Sequence, residues 1–417
     1  MRLYPFPEKK IWKILFAVYL FALLMFARNG MLSCVLWGFY KTQILMLLVM
    51  GAGVMAFAVV NRRELKQIFT DRRMLAAAVC GVVILLPMAV KRDWQLMYFS
   101  VYLCVIFGVF VSLFLTLEDA AKIYLRILCV LSVLSLVCAY GLRLLPDRGM
   151  PGVPVVRIDT GVEFYFFGVS FVPLTYVKYR NFGIFREPGV YQYFLLLGLF
   201  LNNYEVQWSS GKKLWTVNIL LAVTMVSTFA TGGLVELALL ALVLFFDKGW
   251  YKKKAGKLAA GAVFLLGGAA AVYVFIRKGA LYYTLVDMLS KFNLRSESMT
   301  DRAGSIIENT KTFLRHPLLG GGIREALFVV ANNTSSSTVL YAILGIFGGT
   351  LNAAAWVMLS WRKEGKLWVS LALTVILFMS FNTENLITNP YFWLFPVMAV
   401  CQRFLPAIRG RQVTDGT

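Results

Sequence analysis

The chain has 417 residues, of which 59% are apolar and only 15% charged, with 42 Lys plus Arg against 21 Asp plus Glu for a net charge of +21. An ordinary soluble domain is nearer half apolar and a quarter charged, so this composition excludes a soluble enzyme, a disordered chain and a disulfide scaffold. The basic excess alone would fit nucleic acid, but a membrane protein has another reason for it.

Apolar runs separated by short charged stretches predict helices at about 11–27, 42–60, 74–90, 96–116, 123–142, 189–203, 213–230, 232–246, 257–276, 338–361, 366–381 and 391–405. Runs of this length can cross a hydrocarbon core about 30 Å thick. Backbone groups in lipid must bond internally, so such segments are helical, and the alternation of a barrel strand is absent. The expected fold is an all-α integral membrane protein with about twelve transmembrane helices. With the N-terminus inside, 24 of the basic residues fall in inside segments, including Arg62, Arg63, Lys252, Lys253, Lys254 and Arg362. The remaining 18 are outside, and all but four of them sit in two long outer loops, 143–188 and 277–337. The bias places both termini in the cytoplasm.

The aromatic stretch 162–177 (VEFYFFGVSFVPLTYV) would invert the later loops if it crossed, and it contains Pro173. It is read as re-entrant or interfacial. No signal-peptide cleavage site is evident. The six cysteines lie mostly within or beside spans without a CxxC pair, as small buried apolar residues do. GGGI at 320–323 lacks the Lys-Ser/Thr ending of a phosphate loop, so no nucleotide site is expected.

Loops on a rigid scaffold carry function. The first outer loop ends in RNFGIFREPGV at 180–190, where Glu187 stands beside Arg186 and Pro188 can open a helix. Glu236 is the only acid well inside a predicted span, just after the small, polar STFATGG, and it needs a partner or a wet cavity. In the second loop, Ser298 and Asp301 fit a helix start. Ile306, Ile307, Thr310, Phe313 and Leu314 form one stripe of an amphipathic helix that ends at Arg315-His316, before Pro317 and three glycines. His316 is the only histidine, so a multi-histidine metal site is excluded, and no metal or other cofactor is expected. Solvated, mutually paired charge accounts for many of the loop arginines. The sharper reading is that some clamp an anion, because guanidinium matches phosphate bidentately.

Three stretches together resemble the superfamily of O-antigen polymerases and O-antigen ligases. They are GIFREPGVYQYFLLLGLFL, STFATGGLVELALLALVLFF, and DRAGSIIENTKTFLRHPLLGGGI followed by STVLYAILGIFGG. The layout of spans and outer loops is also similar. The histidine expected of a ligase before the span after the large loop is absent, where the chain reads Asn332-Asn333-Thr334-Ser335. The Glu-Pro pattern leans toward a polymerase of O-antigen, capsule or exopolysaccharide.

The resemblance implies a GT-C-like glycosyltransferase in the bacterial inner membrane with its active site on the outer face. It would join undecaprenyl-diphosphate-linked repeat units by metal-independent, inverting transfer. Its partners would be the carrier-linked glycan donor and acceptor, membrane lipid and a chain-length regulator, with no nucleic acid. The diphosphate clamp is drawn from Arg157, Arg180, Arg186, Arg302 and Arg315, and the base from Glu187, His316 or Glu236. A ligase acting on lipid A core is the nearest alternative. A lipid-linked-sugar flippase is a more distant one, disfavoured by the near absence of charge within spans.

Overall fold

The computed structural model describes residues 4, 10–27, 30, 38–141, 153–157, 163–168, 170–174, 180–278, 282, 283, 286, 290, 297–328, 333–362 and 365–405. Arg143, Arg148, Lys178, Lys291, Arg295 and Asn332 therefore lie outside the described residues.

In chain order the helices are α1 (Lys10–Phe26), α2 (Gly38–Val60), α3 (Leu65–Phe69), α4 (Arg72–Lys91), α5 (Leu96–Phe114), α6 (Leu117–Leu136), α7 (Pro188–Tyr204), α8 (Gly211–Ser227), α9 (Thr231–Asp247), α10 (Lys254–Arg277), α11 (Glu297–Arg315), α12 (Ile323–Phe328), α13 (Ser336–Ser360), α14 (Leu367–Phe381) and α15 (Pro390–Arg403). Every one of the twelve expected apolar stretches is a helix. Five stretches are long and apolar enough to cross a membrane: Gln43–Val60, Arg72–Lys91, Leu96–Phe114, Leu117–Gly141 and Ser336–Ser360. The last turn of the fourth, Val137–Gly141, is wound as a π-helix.

Helices α5, α7 and α15 form the centre of the bundle. They carry apolar residues all round and are buried almost throughout, as such helices must be. Close approach needs small residues: a Cβ on Gly198 would come within 2.6 Å of Leu128, and one on Gly108 within 2.9 Å of Val397. Aromatic rings fill the middle, where Tyr124 meets Tyr391 and Phe395, and Trp356 meets Phe381 and Phe392.

The connections segregate to two ends, as successive antiparallel crossings require. At one end Glu205 accepts from Arg403 at 2.7 Å and from Arg362 at 2.6 Å, Gln402 bonds Leu115 and Leu117, and Gln207 N donates to Glu118. These are segments expected inside. At the other end Asp93 meets Arg324, Ser335 meets Asn382, and Asn181 meets Ser227. These are segments expected outside.

The structure departs from the sequence expectations in three places. The first long loop is not wholly irregular, and the chain is not purely α. Strands β1 (Val155–Arg157), β2 (Glu163–Phe166) and β3 (Phe171–Pro173) make a small antiparallel sheet in the order β1-β2-β3, with Tyr165 opposite both Val155 and Val172. The stretch read as re-entrant is thus largely a hairpin. Its alternate residues Phe164 and Phe171 are buried together with Phe182, a strand pattern that the density of aromatics hid.

Helix α11 does not bury its apolar stripe as a unit: Phe313 packs edge-on to Tyr341 of α13, but the rest of the stripe does not follow it. Ile306, Ile307 and Leu314 are exposed, whereas Ser305, Asn309 and Thr312 are buried. Asn309 Nδ2 donates to Asn333 Oδ1 at 3.1 Å and Thr338 Oγ1 at 2.9 Å, and Asn333 Nδ2 returns a bond to Asn309 Oδ1 at 2.7 Å. The polar face therefore packs on α13 because it finds partners there. α11 also begins at Glu297, so Ser298 lies inside its first turn rather than capping it.

Candidate functional site

The site is assembled where α7, α9, α11 and the α14–α15 turn meet. The 180–187 segment that leads into α7 is rigidly seated. Asn181, fully buried, donates to Ser135 and Ser227 and accepts from Gly183 N at 2.9 Å. Gly183 adopts φ +53°, and a Cβ there would meet the Tyr191 ring at 2.6 Å. Phe185 stacks on Phe194 with centroids 4.6 Å apart, and its backbone bridges to Gly30. Glu187 is then the extended N-cap residue of α7, and Pro188 fills the first helical position, where its missing N–H costs nothing. The Glu187 side chain makes no capping bond and is 48% exposed, so it is free to face a ligand. It pairs loosely with Arg186, Nε to Oε1 4.0 Å.

Across from Glu187 stands Glu384, in the turn between α14 and α15. The turn is pinned from α13: the Ser336 hydroxyl donates to Glu384 O and accepts from Leu386 N. Asn389 caps α15 at Tyr391 N, 3.0 Å. The Glu384 carboxyl lies on the first turn of α7 so closely that a Cβ on Gly189 would be 2.6 Å from Oε1. Glycine there leaves room for the carboxyl tip. Glu384 is buried, and it lies within hydrogen-bond reach of Glu187. Burial pushes its carboxyl well above the ordinary carboxylate range, and the Glu187 charge pushes the same way, against the pull of Arg302 and then Arg186.

Arg302, half-buried on α11, is in electrostatic reach of both Glu384 and Glu236. Its position explains the polar seam of α11, because the Ser305 and Asn309 bonds fix the helix one turn after the guanidinium leaves it. Glu236 is 1% exposed on α9 and faces Ser380 at the end of α14. The small residues before it allow this approach: Gly233 lies against Gln192, and a Cβ on Gly232 would be 3.3 Å from Gln192 Nε2 and 3.8 Å from Glu236 Oε1. Two cations and three carboxyls therefore converge at one end of the bundle.

The Cys104 thiol approaches Thr388 O at 3.7 Å, so the end of the α14–α15 turn packs beside the middle of α5.

The other expected residues sit elsewhere. His316 is held between Lys91 (Nδ1 to Nζ 3.3 Å) and Glu325 (Nε2 to Oε2 3.2 Å), and no described contact joins it to Glu187, Glu236 or Glu384. Arg157 is exposed on β1 opposite Glu163. Arg315 is exposed at the end of α11. Arg180 donates from Nε to Thr228 O at 3.2 Å, a bond that secures the α8–α9 turn. Of the sequence candidates the structure thus gathers Arg186, Glu187, Glu236 and Arg302. It adds Glu384 and Gln192, which the sequence reading missed.

A second polar cluster lies nearby. Asp93 accepts from Tyr98 OH at 3.3 Å and Arg324 N at 3.0 Å, and Ile323 N donates to Tyr98 OH at 3.2 Å. This clamp fixes the start of α12 on the α4–α5 turn. The adjoining turn 317–321 enters a break in α13 at Gly345, where Ile346 N donates to Pro317 O and Gly321 N to Ala342 O, both at 2.8 Å.

Comparison of the chain with family models, with curated proteins and with solved structures returns no match.

Proposed function

We propose that this protein is a polysaccharide polymerase that joins undecaprenyl-diphosphate-linked repeat units at the outer face of the bacterial inner membrane. The observation that carries the reading is the convergence of Arg186, Glu187, Arg302, Glu236 and Glu384 at one end of a bundle of apolar helices. In this reading all twelve apolar helices cross the bilayer, both termini are cytoplasmic, and the architecture is GT-C-like. The loose local patterns in 183–201, 227–246, 301–323 and 337–349 supply the family resemblance behind the substrate assignment.

The chemistry follows from charge. An acceptor sugar hydroxyl attacks the anomeric carbon of the donor and its proton passes to Glu187, which stands beside Arg186 and is half exposed. The new bond forms between the acceptor oxygen and the anomeric carbon. The bond from that carbon to the phosphate oxygen breaks, and its electron pair leaves on the lipid diphosphate. Arg186 and Arg302 stabilise the charge developing there, as preplaced cations in a site shielded from water do most effectively. Direct displacement inverts the anomeric centre.

The test supplies carrier-linked repeat unit to membranes containing the protein and resolves the products by chain length. Wild type is expected to extend the chain, with Glu187→Gln and Arg302→Ala reduced at least a hundredfold. Full-length polymer from Arg186→Ala, Glu187→Gln and Arg302→Ala alike would overturn the reading. In a deletion strain, a single repeat still attached to lipid A core marks a lost polymerase. Loss of all attachment marks a ligase instead.

A further inference from the structure

Glu384 belongs to no motif that led to the site, yet it is the most enclosed charged group facing Glu187. Its burial has to be explained. An isolated buried carboxylate is costly, and evolution of stability alone would favour an amide or an apolar side chain at such a place. Here the turn is instead fixed around it by Ser336, and its Oε1 lies 2.6 Å from where a Cβ on Gly189 would stand, two residues after Glu187. The pinned turn thus brings this carboxyl to the start of α7, beside Glu187.

We infer that Glu384 and Glu187 form a carboxyl pair sharing one proton, with Glu384 as the positioning acid that donates to Glu187 and leaves it charged as the base. The assignment of Glu187 as base rests on the polymerase reading. The pair itself does not.

Three observations choose which carboxyl holds the proton. Glu384 is buried while Glu187 is 48% exposed, so water stabilises charge on Glu187. Glu187 has its own cation in Arg186 at 4.0 Å. Arg302, the other cation facing Glu384, is shared with Glu236. Among the described residues the charged groups around Glu384 are therefore Glu187 and Arg186 ahead of α7, Arg302 on α11 and, through Arg302, Glu236 on α9. α13 contributes the Ser336 hydroxyl. Two carboxylates at hydrogen-bond distance cannot both ionise readily, and the enclosed one keeps the proton.

The pair gives the site an alkaline limit. Above the alkaline limit Glu384 loses its proton, the hydrogen bond that orients Glu187 is gone, and two negative charges face the arriving diphosphate. Glu384 keeps its proton through the reaction.

Glu384→Gln retains a donor of the same shape but cannot ionise. The expected result is a polymer-forming rate within about tenfold of wild type and loss of the alkaline limb. Glu384→Ala is expected to lose more than a hundredfold, and Glu384→Asp to recover part of it. An alkaline limb that survives in Glu384→Gln would overturn the inference. A second measurement separates this from failure of the polymerase reading. Infrared titration of the purified protein in lipid is expected to show a protonated-carboxyl band at neutral pH that Glu384→Gln removes and Glu187→Gln shifts. A band unaffected by both variants would overturn the pair whatever reaction the protein performs.

Discussion

Replacing Gly345 by Ala tests the way α11 and its arginine are held. Gly345 interrupts α13 with φ 66° and ψ −163°, a conformation that only glycine adopts without strain. The gap it opens receives the turn after α11, and a Cβ at 345 would lie 2.3 Å from Leu318 O. That atom is backbone, so it cannot swing aside as a side-chain tip could. The backbone strain costs about 1–3 kcal/mol. Displacing the turn also breaks the Ile346–Pro317 and Gly321–Ala342 hydrogen bonds, each worth about 0.5–1.5 kcal/mol. Together Gly345→Ala is expected to lose roughly 2–6 kcal/mol. The assay is equilibrium unfolding in mixed micelles, followed by tryptophan fluorescence. Gly320→Ala faces the same junction from the other side, with its Cβ 2.4 Å from Ile343 O, so the double variant is expected to fall well short of additive. Gly51→Ala, where no atom lies within 4 Å, serves as the neutral control. Gly345→Ala unfolding within 0.5 kcal/mol of wild type would refute the reasoning about the seat, on the usual scatter of about ±0.5 kcal/mol for harmless substitutions.

Other predictions concern charge. Glu205→Gln leaves Arg362 and Arg403 facing each other half-buried, and is expected to destabilise the inside end by about 3 kcal/mol in the same unfolding assay, since removing one partner of an enclosed ion pair strands the other. Asn309→Leu removes the polar seam between α11 and α13, and is expected to lower polymer formation without abolishing folding, as seen by retained monodispersity with a reduced product ladder. Arg302→Lys keeps charge but loses the planar fork, so activity should fall between wild type and Arg302→Ala in the chain-extension assay. Stability should also depend on pH through Glu384. Its folded-state titration is raised, first by burial and then by Glu187, so its contribution is fully present below the ordinary carboxylate range and is lost as pH rises through its own titration. Glu384→Gln is expected to flatten that part of the stability profile, and an unchanged slope would count against the burial argument.

The helices were legible because sustained apolar runs have one solution in a low-dielectric core, and each expected stretch is helical. Which face of α11 packs was not legible. Ile306, Ile307 and Leu314 are left outside, because Asn309 finds amide and hydroxyl partners at the start of α13. Arg186 and Glu187 could be read from local sequence, since glycine and proline around them fix the backbone. Glu384 could not, because its meaning depends on a contact between segments almost two hundred residues apart. One signal was available: it is the single acid in FNTENLITN, a short turn ended by an Asn-Pro helix start. His316 drew attention as the lone histidine, yet its neighbours Lys91 and Glu325 tie it to the end of α4 and to the start of α12.

The unequal lengths of the helices bear on the lipid itself. On the outward wall beside the site, α8 and α9 have 17 residues and α14 only 15, which gives rises of about 26 and 22 Å. Helices α2 and α4 on another wall have 23 and 20 residues, or about 34 and 30 Å. Apolar side chains such as Ile219 and Val223 on α8, and Leu371 and Val375 on α14, face outward from the short wall. With these helices spanning the bilayer, a hydrocarbon layer about 30 Å thick has to thin beside that wall to match them. On the proposed topology, that thinning brings the headgroup plane toward the end of the bundle where Glu384 and Arg302 meet. A lipid whose diphosphate lies at that plane would then reach the cations by sliding sideways along a dimple in the membrane, with little need to lift out of it.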